Sequence, residues 1–141
     1  PGVIEPGQTV HDMISTTDLF TTAARIAGVK DKIPSDRIVD GLDQTALLLN
    51  GNGHGRRSYI FHYSGNRLAA VRMDNMKLHI KPGSKGGLPN MEVYNITRDP
   101  GEKFGSMYHH LSYVVPFPRI IGKHKQMIKK YPHRVLPSGI F

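Results

Sequence analysis

The chain contains no cysteine. Disulfides, thiolate metal sites and cysteine nucleophiles are therefore excluded within it. It holds no apolar run approaching the ~20 residues that a bilayer crossing needs, and no signal-peptide pattern opens it. An export signal of a longer parent would lie upstream. No internal repeat and no low-complexity tract interrupts the sequence. An initiator methionine is missing too, and with Pro1-Gly2 at the start we expect the chain to continue upstream. Negative charge is in short supply: Asp and Glu number 11 against 19 Lys and Arg, a formal net charge of +8. That excess favours an anionic partner such as nucleic acid, an acidic polysaccharide or a sulfated small molecule. A solvated basic surface would give the same total.

What is present is a globular composition, 38% hydrophobic and 21% charged in 141 residues. A chain of this length forms one domain's worth of core and buries roughly two-thirds of its unfolded surface. Two textures meet near residue 52, which suggests a helical and loop segment over 1–52 and a sheet-plus-helix subdomain over 53–141. In the first, Ser15 or Thr16 caps a helix with Asp18 in its first turn. Leu19, Phe20, Ala23, Ile26 and Ala27 give that helix its face, and Gly28 stops it. Thr21 and Thr22 are indifferent helix formers, so burial must hold it. Ile38 to Gly41 reads as a short extended piece, and Ala46 to Asn50 as a short helix closed by Asn50-Gly51-Asn52-Gly53.

The second part reads as strands. Tyr59 to Tyr63 is aromatic and β-branched and is followed by the turn Ser64-Gly65-Asn66. Leu68–Met73 and Met76–Ile80 flank Asp74-Asn75, a two-residue hairpin loop. Lys81 to Asn90 is broken by glycine and proline and reads as a loop, with Glu92 to Thr97 as the fourth strand. A helix from about residue 116 gathers Ile120, Ile121, His124, Met127, Ile128 and Tyr131 on an arc of roughly 120°. Arg119, Lys123, Lys125, Lys129 and Lys130 fill the remainder, and Pro132 ends it. The expected class is α+β: a small four-stranded antiparallel sheet packed against a C-terminal helix.

Several stretches, read together, resemble the arylsulfatase-like, formylglycine-dependent (type I) sulfatases. Pro1-Gly2-Val3-Ile4-Glu5-Pro6-Gly7 is similar to their Pro-Gly-x-Ile-x-x-Gly loop. Asp18-Leu19-Phe20-Thr21-Thr22 is similar to their Asp-Leu-Phe-Pro-Thr helix start, and Asp36-Arg37-Ile38-Val39-Asp40-Gly41-Leu42-Asp43 to their Asp-Arg-x-x-Asp-Gly-x-Asp turn. Leu48-Leu49 with Gly51, Ala70-Val71-Arg72 with Lys77-Leu78, and Val93-Tyr94-Asn95-Ile96 with Asp99-Pro100-Gly101-Glu102 follow in the family's order. Thr21 departs from the family's proline, at a small cost in local stability. The resemblance implies that residues 1–52 end the alkaline-phosphatase-like core and that the rest is the C-terminal subdomain.

It also implies a parent that hydrolyses sulfate esters with a formylglycine, made from Cys or Ser in Cys/Ser-x-Pro-x-Arg, and a bound calcium ion. No serine here has Pro two places on and Arg four places on, so no catalytic residue and no metal ligand is assigned. Asp74-Asn75 matches a pair in the family's metal site, but it lies between two strands and reads as turn chemistry. His109-His110 and the other histidines lack the clustering of a metal site. Asn95-Ile96-Thr97 is a glycosylation sequon that chance explains. The candidate substrate-rim residues are His62, Tyr63, Asn66 and Arg67, which bring an imidazole, a phenol, an amide and a guanidinium to one turn. The expected partner is the parent's missing N-terminal catalytic domain. Without it Leu19, Phe20, Ile26 and Leu47 to Leu49 lose their cover, so a second copy or a rearrangement of residues 1 to 50 should bury them. The alternative is a free-standing basic module binding a sulfated glycan or nucleic acid. Against it, no nucleic-acid motif appears, and aromatics are not interleaved with the cations.

Overall fold

The fold was obtained as a computed structural model that describes residues 2–51, 55–83, 89–105 and 111–132. Pro1, Asn52-Gly53 and His109-His110, each named above, lie outside these residues, as does part of the loop read from Lys81 to Asn90. The chain divides into two compact units, Pro1–Ile60 and Phe61–Phe141.

In the first unit, helix α1 (Thr16–Ile26) starts where the sequence says it should. Ser15 is its N-cap, and a capping box forms with Asp18 at the third helical position. Gly28, at φ 73°, leaves the helix in the left-handed region that favours glycine. A single 3-10 turn, Lys30–Lys32, follows, which hydrophobic periodicity could not reveal because it carries no buried residue. Residues 38–41 run as irregular chain and join no sheet. Helix α2 (Thr45–Asn50) buries Leu47.

Asp18 holds this unit together. Its carboxylate accepts from the backbone N–H of Ser15 (2.9 Å) and of Leu42 (2.8 Å), from Gln44 Nε2 (3.3 Å) and from the Arg57 guanidinium. Arg57 also donates to the Asp40 carbonyl. Burial alone would raise the Asp18 pKa, but Arg57 and the backbone donors outweigh it and hold the carboxyl far below the ordinary range. Thr21 and Thr22 are buried beside it. Thr21 Oγ1 donates to the Asp18 carbonyl, and Thr22 Oγ1 accepts from the Gln44 N–H at 3.0 Å. Of the two weak helix formers, Thr22 is thus fastened by a tertiary bond, while Thr21 bonds back within its own helix.

The strands β1 (Tyr59–Ser64), β2 (Arg67–Met73), β3 (Met76–Lys81) and β4 (Asn90–Asn95) form one sheet in the order β1-β2-β3-β4. The β2–β3 and β3–β4 pairs are antiparallel. Met73 pairs with Met76 across Asp74-Asn75, and Asp74 takes φ 51°, so this pair is the hairpin turn. β4 stops at Asn95, short of the expected Thr97. The Asn95 side-chain oxygen accepts from the N–H groups of both Thr97 and Arg98, pulling the chain into a turn.

After a short helix α3 (Leu111–Val114), helix α4 (Pro116–Lys130) lays its apolar arc on one sheet face. Phe117 is fully buried with Val71, Met76, Leu78 and Val93, and Ile120 and Ile121 pack against them. His124 stacks on Phe61 with ring centroids 3.6 Å apart. Met127 and Tyr131 share the arc but stay nearly half exposed, so the packed part ends before the helix does.

Candidate functional site

Strand alternation decides what the β1–β2 turn can present, because successive side chains point to opposite faces. Tyr63 faces α4, and its hydroxyl meets His124 Nε2 at 2.5 Å. His62 lies on the other face. Asn66 sits exposed in the turn, and Arg67 donates from Nη1 to the Ile80 carbonyl at 2.8 Å. The four residues therefore do not converge on one point. Tyr63 ties helix to sheet, and Arg67 ties β2 to the end of β3.

His62 belongs to a polar layer that the sequence reading missed. Lys77, His79 and Lys81 alternate along β3 with Met76, Leu78 and Ile80, and their partners across the ladders are Arg72, Glu92, Tyr94 and Asn90, with the small Ala70 opposite His79 on β2. The period-two pattern was there to be read. Glu102 closes the layer from the segment after β4. It lies 2.6 Å from Lys77 Nζ and also touches His79. Glu102 takes φ 52°, and Gly105 passes so close to Tyr94 that an added Cβ would sit 2.5 Å from its ring. Lys81 and the Tyr94 hydroxyl both bond Glu92.

The electrostatics follow from these contacts. The Lys77 hydrogen bond holds the Glu102 carboxyl below its usual range, and Lys81, then Tyr94, do the same for Glu92. His62 is pushed the other way from a paired histidine. Burial lowers its pKa, and the positive charges of Lys77 and Arg72 lower it further, against a smaller opposing pull from Glu102. Its Nε2 is buried without a hydrogen-bond partner among the described residues.

A pH dependence results. Below the ordinary imidazole value of 6.5 the unfolded chain takes a proton at His62 that the folded chain resists. Folded stability is then complete above that value and declines as the solution is acidified through it. His62→Gln should flatten this decline as the pH falls below 6.5 in urea titrations, whereas an unchanged slope would show that His62 does not contribute to it.

Unit 1 offers a second feature, an apolar surface. Leu19, Phe20 and Ile26 on α1 are each more than half exposed, and Leu48 and Leu49 on α2 about two-fifths. Leu47 alone of the expected set is covered within the chain, so no rearrangement of residues 2–51 buries the rest. Beside this surface is a cleft of about 270 Å³ whose apolar lining includes Ile4, Val10, Ile14, Leu19, Leu47 and Leu48. Among the described residues, no three His, Asp or Glu side chains are grouped to hold a metal ion. No described helix is long and apolar enough to cross a membrane.

No family model matches the chain, but whole proteins do. Over 98% of its length it is 30% identical to N-acetylgalactosamine-6-sulfatase of Mus musculus, of which it spans 30%. Half of it is 45% identical to steryl-sulfatase of Rattus norvegicus, covering 12% of that protein. In structure, 95% of it superposes on 30% of the PsFucS1 sulfatase of Pseudoalteromonas sp., with a TM-score of 0.81 and 29% identity.

Proposed function

The chain belongs with the sulfatases as their C-terminal region, and from this we propose that it supports the hydrolysis of a sulfate ester without performing the chemistry itself. The observation that carries this reading is the exposed apolar face of α1 and α2. Leu19, Phe20, Ile26, Leu48 and Leu49 are large apolar side chains left exposed on two helices that touch each other, and apolar surface gathered in this way marks an interaction site. The catalytic portion of a sulfatase-length parent is the partner that fits it, and a second copy of this chain is the competing occupant.

Sulfatases as a family use formylglycine and calcium. The residues here do not fit either group: there is no cysteine, no Ser-x-Pro-x-Arg and, among the described residues, no ligand cluster. Both groups would therefore reside in the parent's other portion. The β1–β2 turn is the part of this region we assign to the substrate rim. Asn66 is exposed there, and His62 offers an imidazole whose burial and cationic neighbours keep it neutral. Tyr63 and Arg67 serve the rim by fixing the turn.

The test joins this chain to the portion of a sulfatase that the match leaves uncovered. The joined protein should hydrolyse an aryl sulfate, and the chain alone should release no sulfate above a heat-killed control. Phe20→Asp should abolish activity of the joined protein while leaving the unfolding midpoint of the isolated chain unchanged, because Phe20 is already exposed there. Hydrolysis by the chain alone would overturn the proposal. So would a joined protein as active with Asp at position 20 as with Phe.

A further inference from the structure

Every Asp and Glu of the chain lies at or before Glu102. Up to that residue the positive and negative side chains nearly cancel, so almost all of the net +8 arises from the stretch that follows. Within it α4 carries Arg119, Lys123, Lys125, Lys129 and Lys130, all exposed, and no carboxylate. At about 100° per residue Arg119, Lys123 and Lys130 fall within roughly 40° of one another, on the side away from Phe117, Ile120 and Ile121. They form a stripe about 16 Å long at 1.5 Å per residue.

Helix stability does not account for this arrangement. Lys129 and Lys130 sit in the last turn, where a cation favours the dipole, but Arg119 sits near the N-terminal end, where it does not. Arg119 with Lys123, and Lys125 with Lys129, are like charges one turn apart and repel. No ion pair among the described residues neutralises any of the five.

We propose that the outer face of α4 is a binding surface for a sulfated polysaccharide, gripped through its sulfate groups by Arg119, Lys123 and Lys130. A linear polymer with repeated fixed anions matches a linear stripe of cations with no acidic residue to repel it. A lipid surface fits less well, because the apolar arc that would enter it is packed on the sheet at Phe117, Ile120 and Ile121. Duplex or single-stranded nucleic acid fits less well too, since the aromatic ring between Arg119 and Lys130, that of His124, is stacked on Phe61 on the sheet side of the helix and is not offered to bases along the stripe. The choice of a sulfated sugar polymer rests on the sulfatase reading, whereas the stripe itself does not.

The test measures binding of the 141-residue chain to chondroitin sulfate at about 150 mM salt, with unsulfated hyaluronan and duplex DNA as comparison polymers. The triple variant Arg119→Glu, Lys123→Glu, Lys130→Glu is set against Lys30→Glu, Lys32→Glu, Arg37→Glu, which changes net charge equally on exposed residues of the first unit. The α4 variant should weaken chondroitin sulfate binding at least about tenfold and the control less than about twofold, with hyaluronan bound more weakly throughout. The corresponding glutamine triple on α4 should give the same ranking if the charge-reversed one fails to fold. Equal losses in both variants would reduce the effect to net charge and overturn the proposal. No binding, or DNA binding as tight and as dependent on α4, would also overturn it. An active joined sulfatase whose isolated C-terminal chain ignores chondroitin sulfate refutes this surface alone. An α4-dependent interaction with no activity in the joined protein refutes the sulfatase reading alone.

Discussion

Replacing Asp18 by alanine should cost about 3–5 kcal/mol in urea denaturation of the chain, because it breaks a buried pair by removing one partner. The Asp18 side chain is 2% exposed and that of Arg57 12%. Truncation would leave the guanidinium without its counter-charge and would orphan the donors of Ser15, Leu42 and Gln44 together. Asp18→Asn keeps the volume and one acceptor oxygen, and should lose less. The two side chains belong to one network, so Asp18→Ala combined with Arg57→Met should cost less than the sum of the single changes. A loss below about 1 kcal/mol for Asp18→Ala would mean that the network is decorative. The stability it contributes is present above the ordinary aspartate value of 3.8 and is lost only as pH falls far into the acid range, since the folded carboxyl titrates well below that value.

The second large effect is expected at Phe117. It is fully buried between α4 and the sheet, against Val71, Met76, Leu78 and Val93. Phe117→Ala should cost about 3–5 kcal/mol, the transfer term of the ring plus the cavity it leaves. Hydrogen exchange should show the loss in β2, β3, β4 and α4, because these elements share the vacated core. Ile120→Ala, at a position only partly covered, should cost clearly less. Equal losses at the two positions would contradict the core drawn around Phe117.

The elements that could be read from sequence are those whose signals are local. Ser15 caps α1 by bonding within three residues, the Asp74-Asn75 turn is closed by its own flanking pair, and the apolar side of α4 follows from helical spacing. Asp18 was legible only as a charge in the first turn of a helix. Its main partner, Arg57, comes from 39 residues away, and nothing local announces that bond. The end of β4 was misjudged because Ile96 and Thr97 suit a strand, while the Asn95 side chain competes for the next two amides and wins.

The proposed rim was legible as a cluster in sequence but not as an arrangement in space. Adjacent residues of a strand face apart, so His62 and Tyr63 could not act together, and that rule was available from the start. The polar layer of Lys77, His79, Glu92 and Tyr94 was equally available from alternation. Glu102 was not, since its place depends on the path the chain takes after β4.

The uncovered leucines and phenylalanine of the first unit and the bare lysines of α4 make this chain adhesive in two ways that ionic strength pulls apart. Added sulfate or phosphate salts strengthen apolar association by exclusion from the surface, while the same ions screen attraction between fixed charges. Purification in dilute buffer will therefore favour clinging to polyanions, and concentrated kosmotropic salt will favour clumping through α1. Between those extremes lies the window in which the chain can be handled as a single species.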